Sequence, residues 1–184
     1  MRVISGEARG IKLKALKGTN TRPTSDKVKE SIFNILAPYI EESRVLDMFS
    51  GTGNLGIEAV SRGAANAYLI EKNKKCYDII KENIYKTKLS DKIKPIIKDV
   101  YSALKVLSKA EEKFDIIFMD PPYLKGFIIP CLEEIMNLDL LNVEGIIVIE
   151  HDVEDILPRT RASLVRFKEK KYGTTMVSFY CREE

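Results

Sequence analysis

Residues 114–123 read F-D-I-I-F-M-D-P-P-Y, and no other stretch restricts the possible folds so sharply. Ile116, Ile117, Phe118 and Met119 run without polar alternation, which suits a strand covered on both faces of a parallel sheet. Pro121 and Pro122 then end it, because proline has no N–H for the ladder and biases the preceding residue toward extended backbone. Asp120 is thereby expected at the strand's carboxyl end, where open α/β sheets bind ligands. Its carboxylate, the rigid carbonyls of the prolines and the ring of Tyr123 form a set suited to gripping a planar group that carries an NH2. The same four residues also suit a strand that simply ends in prolines and a turn tyrosine, so their context decides.

That context is residues 44–56, R-V-L-D-M-F-S-G-T-G-N-L-G, a short strand, a glycine loop and a helix start. Gly51, Gly53 and Gly56 satisfy G-x-G-x-x-G, in which glycines permit a tight turn and close approach of helix N-terminal amides to a ligand. Glu71 follows Gly51 by 20 residues, where a ribose-binding acid belongs in a nicotinamide enzyme. Asp47 argues for a different ligand. A carboxylate inside the first strand is costly to bury unless paired, and a pyrophosphate gains nothing from it. An ammonium or a sulfonium does, and S-adenosylmethionine carries both. Asp99 repeats the pattern after residues 93–98. Glu71 is expected to accept from ribose hydroxyls and Asp99 from the adenine amine, with Phe49 and Val100 sandwiching the ring and Ser50 in the loop. Each acid alone also suits a helix cap or an open surface.

Asp47-x-Phe49-x-Gly51-x-Gly53 followed by Asp120-Pro121-Pro122-Tyr123 resembles a class I S-adenosylmethionine-dependent methyltransferase acting on an exocyclic amino nitrogen. The opening R-V-I-S-G-E-A-R-G-I-K-L, the segment R-P-T-S-D-K-V-K-E-S-I-F-N at residues 22–34, and Tyr172-Gly173-Thr174 resemble the RsmD family more narrowly. These are bacterial enzymes that methylate a guanine N2 in small-subunit (16S) ribosomal RNA. The resemblance covers nearly the whole chain. It implies S-adenosyl-L-methionine as cofactor, rRNA or the assembling 30S particle as partner, and a cytoplasmic monomer.

Composition is compatible with this. The 184 residues are 45% hydrophobic and 31% charged, enough for one domain with a sizeable core. No apolar stretch approaches the roughly 18 to 20 residues of a membrane span, and no apolar leader follows the early basic residues. Cys76, Cys131 and Cys181 are widely spaced and His151 is the sole histidine, so neither a disulfide frame nor a metal site is expected. The net charge of +3 is uneven: the first 29 residues carry +6 and the other 155 carry −3. A second basic cluster includes Arg159, Arg161, Arg166, Lys168, Lys170 and Lys171. Such clusters suit a polyphosphate partner, with Arg2, Arg9, Lys12, Lys14, Arg22, Thr24, Lys170 and Lys171 as RNA-contact candidates. For any one lysine, solvated surface charge is an equally ordinary explanation.

The elements alternate as a wound α/β unit spanning 1–184. Strands are expected near 44–48, 66–71, 93–98, 114–119 and 145–150, and helices near 53–62, 73–89, 100–109 and 126–138. Residues 164–168 and 175–181 lie too close for a crossover helix and should pair as an antiparallel hairpin. The expected fold is Rossmann-like, with a mostly parallel seven-stranded sheet ending in that hairpin. A small basic β-hairpin over residues 1–22 should precede a helix capped by Thr24 or Ser25, with Val28, Ile32, Ile35, Leu36 and Tyr39 on its apolar face. Three other functions fit parts of this pattern: adenine-N6 methylation of DNA or RNA, a non-catalytic RNA-binding assembly factor, and a nicotinamide enzyme.

Overall fold

A computed structural model describes residues 1–16, 25–122 and 126–183. Five helices and eight strands are seen among them: α1 Asp26–Ile40, β1 Arg44–Asp47, α2 Asn54–Ser61, β2 Asn66–Glu71, α3 Lys74–Thr87, β3 Ile93–Ile97, α4 Val100–Lys109, β4 Phe114–Met119, α5 Ile128–Asn137, β5 Leu141–Asp152, β6 Thr160–Arg161, β7 Leu164–Tyr172 and β8 Thr175–Arg182. The strands form one sheet in the order β3-β2-β1-β4-β5-β8-β7-β6. The first five are parallel and the last three antiparallel. Expected strand positions therefore hold, with one addition. The two-residue β6 pairs with the outer edge of β7 and makes the sheet eight-stranded rather than seven. So short a strand has no periodicity of its own; it exists only because β7 presents an unpaired edge.

The apolar runs are explained by burial on both faces. Alternate residues of each central strand enter different cores: Ile116 and Phe118 face α1, α2 and α3, whereas Ile117 and Met119 face α4 and α5. All four are at most 1% exposed, which is why the run cannot alternate in polarity. The β7–β8 connection needs only Gly173 and Thr174, and Gly173 takes the positive φ of 64° that a two-residue hairpin turn demands.

Helix α1 begins with Ser25 as its cap, the hydroxyl accepting from the Val28 amide at 3.2 Å. Its buried face is Val28, Lys29, Ile32, Phe33, Leu36 and Ile40. Tyr39 is not on it; it is 50% exposed, and Phe33 takes the inward position against the Phe118 ring. The expected N-terminal hairpin is seen within residues 1–16: Arg2 bridges Lys12, Val3 N–H donates to the Ile11 carbonyl at 3.0 Å, Gly10 N–H to the Val3 carbonyl at 2.9 Å and Leu13 N–H to the Met1 carbonyl at 3.2 Å. Residues 17–22 lie outside the described residues. The amides of Ile4 and Ser5 leave the ladder for the Glu58 carboxylate, at 2.8 and 3.0 Å, and Ala8 N–H goes to the Ser61 hydroxyl. A segment so tied to α2 is a strap rather than a free ribbon.

Candidate active site

Asp47 closes β1, and Asp120 follows the last residue of β4. The strand order reverses between these neighbours, so the two carboxylates flank the crevice that forms at such a switch point. Asp47 is 2% exposed and accepts from the Gly56 amide at 3.1 Å. Burial pushes its carboxyl up to about 7; the charge of Glu71 adds to this, and amide bonds from Gly56 and Phe49 offset part of it. Among the described residues no cationic side chain is one of the groups acting on it. Asp120 is half-buried, and its carboxyl is held well above the usual carboxylate range, first by desolvation, then by the charges of Glu150 and Asp47. Pro121 is buried and Pro122 exposed.

The loop between Asp47 and α2 is shaped by its glycines. Gly51 and Gly53 have φ of 55° and 87°, and space for a ligand remains beside Gly51, where an added Cβ would meet nothing within 4 Å. Ser50 does not face that space. Its hydroxyl lies 2.8 Å from the Asp47 carbonyl and 3.1 Å from the Ile70 carbonyl, so it staples the loop to β2. Glu71 accepts from the Asn73 amide at 2.7 Å and is half-buried at the end of β2. Asp99 is exposed and caps α4, accepting from Ser102 N–H at 3.0 Å. Phe49 packs against Phe127 with ring centroids 6.2 Å apart, beside buried Val100. Tyr123, Arg22 and Thr24 lie outside the described residues.

Several residues with a bearing on the site escaped the sequence reading. Glu150 ends the apolar stretch of β5, is 5% exposed and acts electrostatically on Asp120. Its signal was present: it repeats the pattern of an acid at a strand's carboxyl end. Asn83, wholly buried on α3, accepts from Lys14 N–H at 2.8 Å and donates to the carbonyls of Lys14 and Thr52 at 3.0 and 2.9 Å. It thus ties the basic strap to the glycine loop, a role with no local signature. The basic cluster itself is smaller than its sequence count. Lys29 is buried against Glu58, Lys14 pairs with Glu82 at 2.8 Å, and Arg2 lies 3.5 Å from Asp26. Arg9, Lys12, Lys170 and Lys171 are exposed. His151 is structural: its ring nitrogens lie 2.9 Å from the Asp152 carbonyl and the Ser178 hydroxyl, and burial lowers its pKa.

A wound sheet closed by an antiparallel hairpin, an open glycine turn after β1 and a buried carboxyl beside that turn define an S-adenosylmethionine-dependent methyltransferase. The chain belongs to the Conserved hypothetical protein 95 family, whose model matches residues 1–181, and the expected resemblance to RsmD enzymes is borne out. It is 43% identical over 180 residues to the Bacillus subtilis protein YlbH, provisionally named an rRNA methyltransferase, covering 98% of each chain. It is 35% identical over 187 residues to the Escherichia coli ribosomal RNA small subunit methyltransferase D, covering 100% of this chain and 90% of that protein. The solved structure of Escherichia coli yhhF, provisionally named a methyltransferase, superposes with a TM-score of 0.87 at 33% identity, covering 100% and 98% of the two chains. Among the described residues no helix is long and apolar enough to cross a membrane.

Proposed function

We propose that the protein transfers the methyl group of S-adenosylmethionine to the exocyclic N2 amine of a guanine in small-subunit ribosomal RNA, as a cytoplasmic monomer. Residues 1–184 act as one methyltransferase domain, with 1–22 a basic extension toward the RNA. The observation that carries this reading is the placement of Asp120 across the switch-point crevice from Asp47. The relatives named as rRNA methyltransferases, matched along nearly their full length, support the substrate class.

The cofactor, when bound, supplies an electrophilic methyl group on a sulfonium sulfur. Asp47, in its low-dielectric position beside the glycine loop, fits the ammonium of that ligand, and Glu71 fits its ribose hydroxyls. Phe49 and Val100 provide the apolar walls for the adenine, and Asp99 retains acceptor capacity for the adenine amine beyond the bond that caps α4. On the substrate side, the lone pair of an exocyclic amine is delocalised into the base. The Asp120 carboxylate and the Pro121 carbonyl accept the two N–H bonds, which favours a pyramidal nitrogen and aims its lone pair. Tyr123 offers a stacking face worth about 1–3 kcal/mol. The raised Asp120 pKa makes it a better proton acceptor than an ordinary carboxylate, so it can take the proton the amine loses as the methyl bond forms. Reaching this crevice requires a base that is unpaired or flipped outward.

The test is methylation of small subunits from cells lacking the endogenous enzyme, using labelled cofactor and nucleoside analysis. Label in N2-methylguanosine that disappears in Asp120→Ala, with cofactor affinity retained, is the expected result. Label in N6-methyladenosine overturns the substrate base; an active Asp120→Ala overturns the catalytic assignment.

A further inference from the structure

A groove of about 630 Å³ lies between α1 and β7, away from the crevice, lined by Lys27, Glu30, Ser31 and Tyr39 on one wall and Phe167, Lys168 and Lys170 on the other. Its β7 wall is built by register. Lys168 and Lys170 stand opposite Phe179 and Val177, which belong to the core beneath α1, and paired residues share a face of the sheet. Both lysines therefore project on the α1 side. The register shifts between Arg166 and Lys168, leaving Phe167 as the extra residue. Such a bulge re-aims a side chain, and Phe167 lies against Phe179 at 6.1 Å while remaining 45% exposed. Tyr39 on the facing helix is 50% exposed. Among the described residues Lys27, Lys168 and Lys170 enter no ion pair, and Glu30 is the one acid lining the groove.

The groove and the crevice lie on one row of the sheet, separated by the buried Glu150 and Val177. Met119 pairs with Ile149, Glu150 with Val177, and Val177 with Lys170, so Asp120 and Lys170 occupy the same row three strands apart. At about 4.8 Å per strand that is roughly 14 Å. Unpaired cations beside exposed aromatic faces, three strands from Asp120 on the same row, suit a single nucleic-acid strand.

Resting on the RNA methyl-transfer reading above, we propose that this groove takes the single-stranded ribosomal RNA flanking the methylated nucleotide. Lys27, Lys168 and Lys170 meet its phosphates, and Phe167 and Tyr39 stack on its bases.

Lys27→Glu and Lys168→Glu reverse charge on opposite walls without touching either core. With unmethylated small subunits as substrate, each is expected to raise KM roughly 10-fold and flatten the log–log salt dependence of binding by about 1. The kcat at saturating particle and the affinity for S-adenosylhomocysteine should stay within about twofold of wild type, as a loss of uniform binding predicts. A photo-crosslinking residue at Phe167 should label RNA. Unchanged KM and salt slope in both variants while wild type methylates the particle, or a crosslink to ribosomal protein alone, overturns the groove assignment. A wild-type protein that neither binds nor methylates the particle overturns the parent reading as well, and that result is read before any variant is compared.

Discussion

The Lys29 ammonium and the Glu58 carboxylate meet at 3.0 Å with both side chains wholly buried. Glu58 also receives Arg62 Nε at 2.7 Å and the amides of Ile4 and Ser5, while Lys29 donates to the Arg2 carbonyl at 2.6 Å and to Asn54 Oδ1 at 2.8 Å. Two charges and their remaining hydrogen bonds thus join three parts of the chain: α1, α2 and the N-terminal strap. Desolvation lowers the Lys29 pKa, and Glu58 opposes that shift.

Removing Glu58 leaves the Lys29 ammonium buried without a counter-charge, whereas removing Lys29 leaves Glu58 still paired with Arg62. Glu58→Gln should cost about 3–5 kcal/mol in urea unfolding, Lys29→Met less, and the double variant less than the sum of the two. Additive losses would show that the pair does not act as a unit.

The raised pKa of Asp47 has a defined sign. A native carboxyl at about 7 against its ordinary 3.8 favours the protonated form, so its effect is absent below about pH 4 and destabilises increasingly as pH rises toward 7. Asp47→Asn, whose side-chain oxygen still accepts from Gly56, should gain about 2–4 kcal/mol at pH 7 while losing cofactor affinity. Stability unchanged at pH 7 would place the carboxyl's pKa near its ordinary value.

A cation seated on Asp47 must also displace its proton. Calorimetric titration with S-adenosylmethionine in buffers of different ionisation enthalpy should show release of about one proton at pH 6, fading by pH 8. Buffer-independent heats at pH 6 would separate the ligand's charge from Asp47.

Glu150 raises the Asp120 pKa through its charge. Glu150→Gln should move the acidic limb of the kcat profile to lower pH, because the Asp120 carboxylate then forms more readily. An unmoved limb would mean that a different group controls it.

Asn83 holds the strap and the glycine loop at once, through Lys14 and Thr52. Asn83→Ala leaves a part-buried N–H and two part-buried carbonyls without that partner, a loss of about 1 kcal/mol. Cofactor affinity should fall with it, because Thr52 sits between the two positive-φ glycines. Affinity at the wild-type value would make Asn83 a packing residue only.

Much of this molecule is legible in local pattern. Unalternating runs such as residues 116–119 mark strands covered on both faces, and the prolines after Asp120 fix where β4 ends. The glycines after Asp47 mark a turn that residues with a Cβ rarely enter. These are properties of a few adjacent residues, so one dimension suffices to see them, and the family motif that they form carries the cofactor and the class of reaction. Which partner each residue meets is settled otherwise. Lys29 reads as one more basic residue near the N-terminus until α2 brings Glu58 against it, and Tyr39 reads as apolar face until Phe33 takes the inward position. Strand β6 has no pattern at all and is created by the free edge of β7. Glu150, Asn83 and the α1–β7 groove likewise depend on contacts between residues far apart in sequence. The sequence by itself determined the elements and the motif because those follow from backbone sterics and hydrophobic period. Only the tertiary structure decided the charge pairing, the perturbed carboxyls and the exposed aromatic wall, because burial and electrostatics depend on what the folded chain packs around each group.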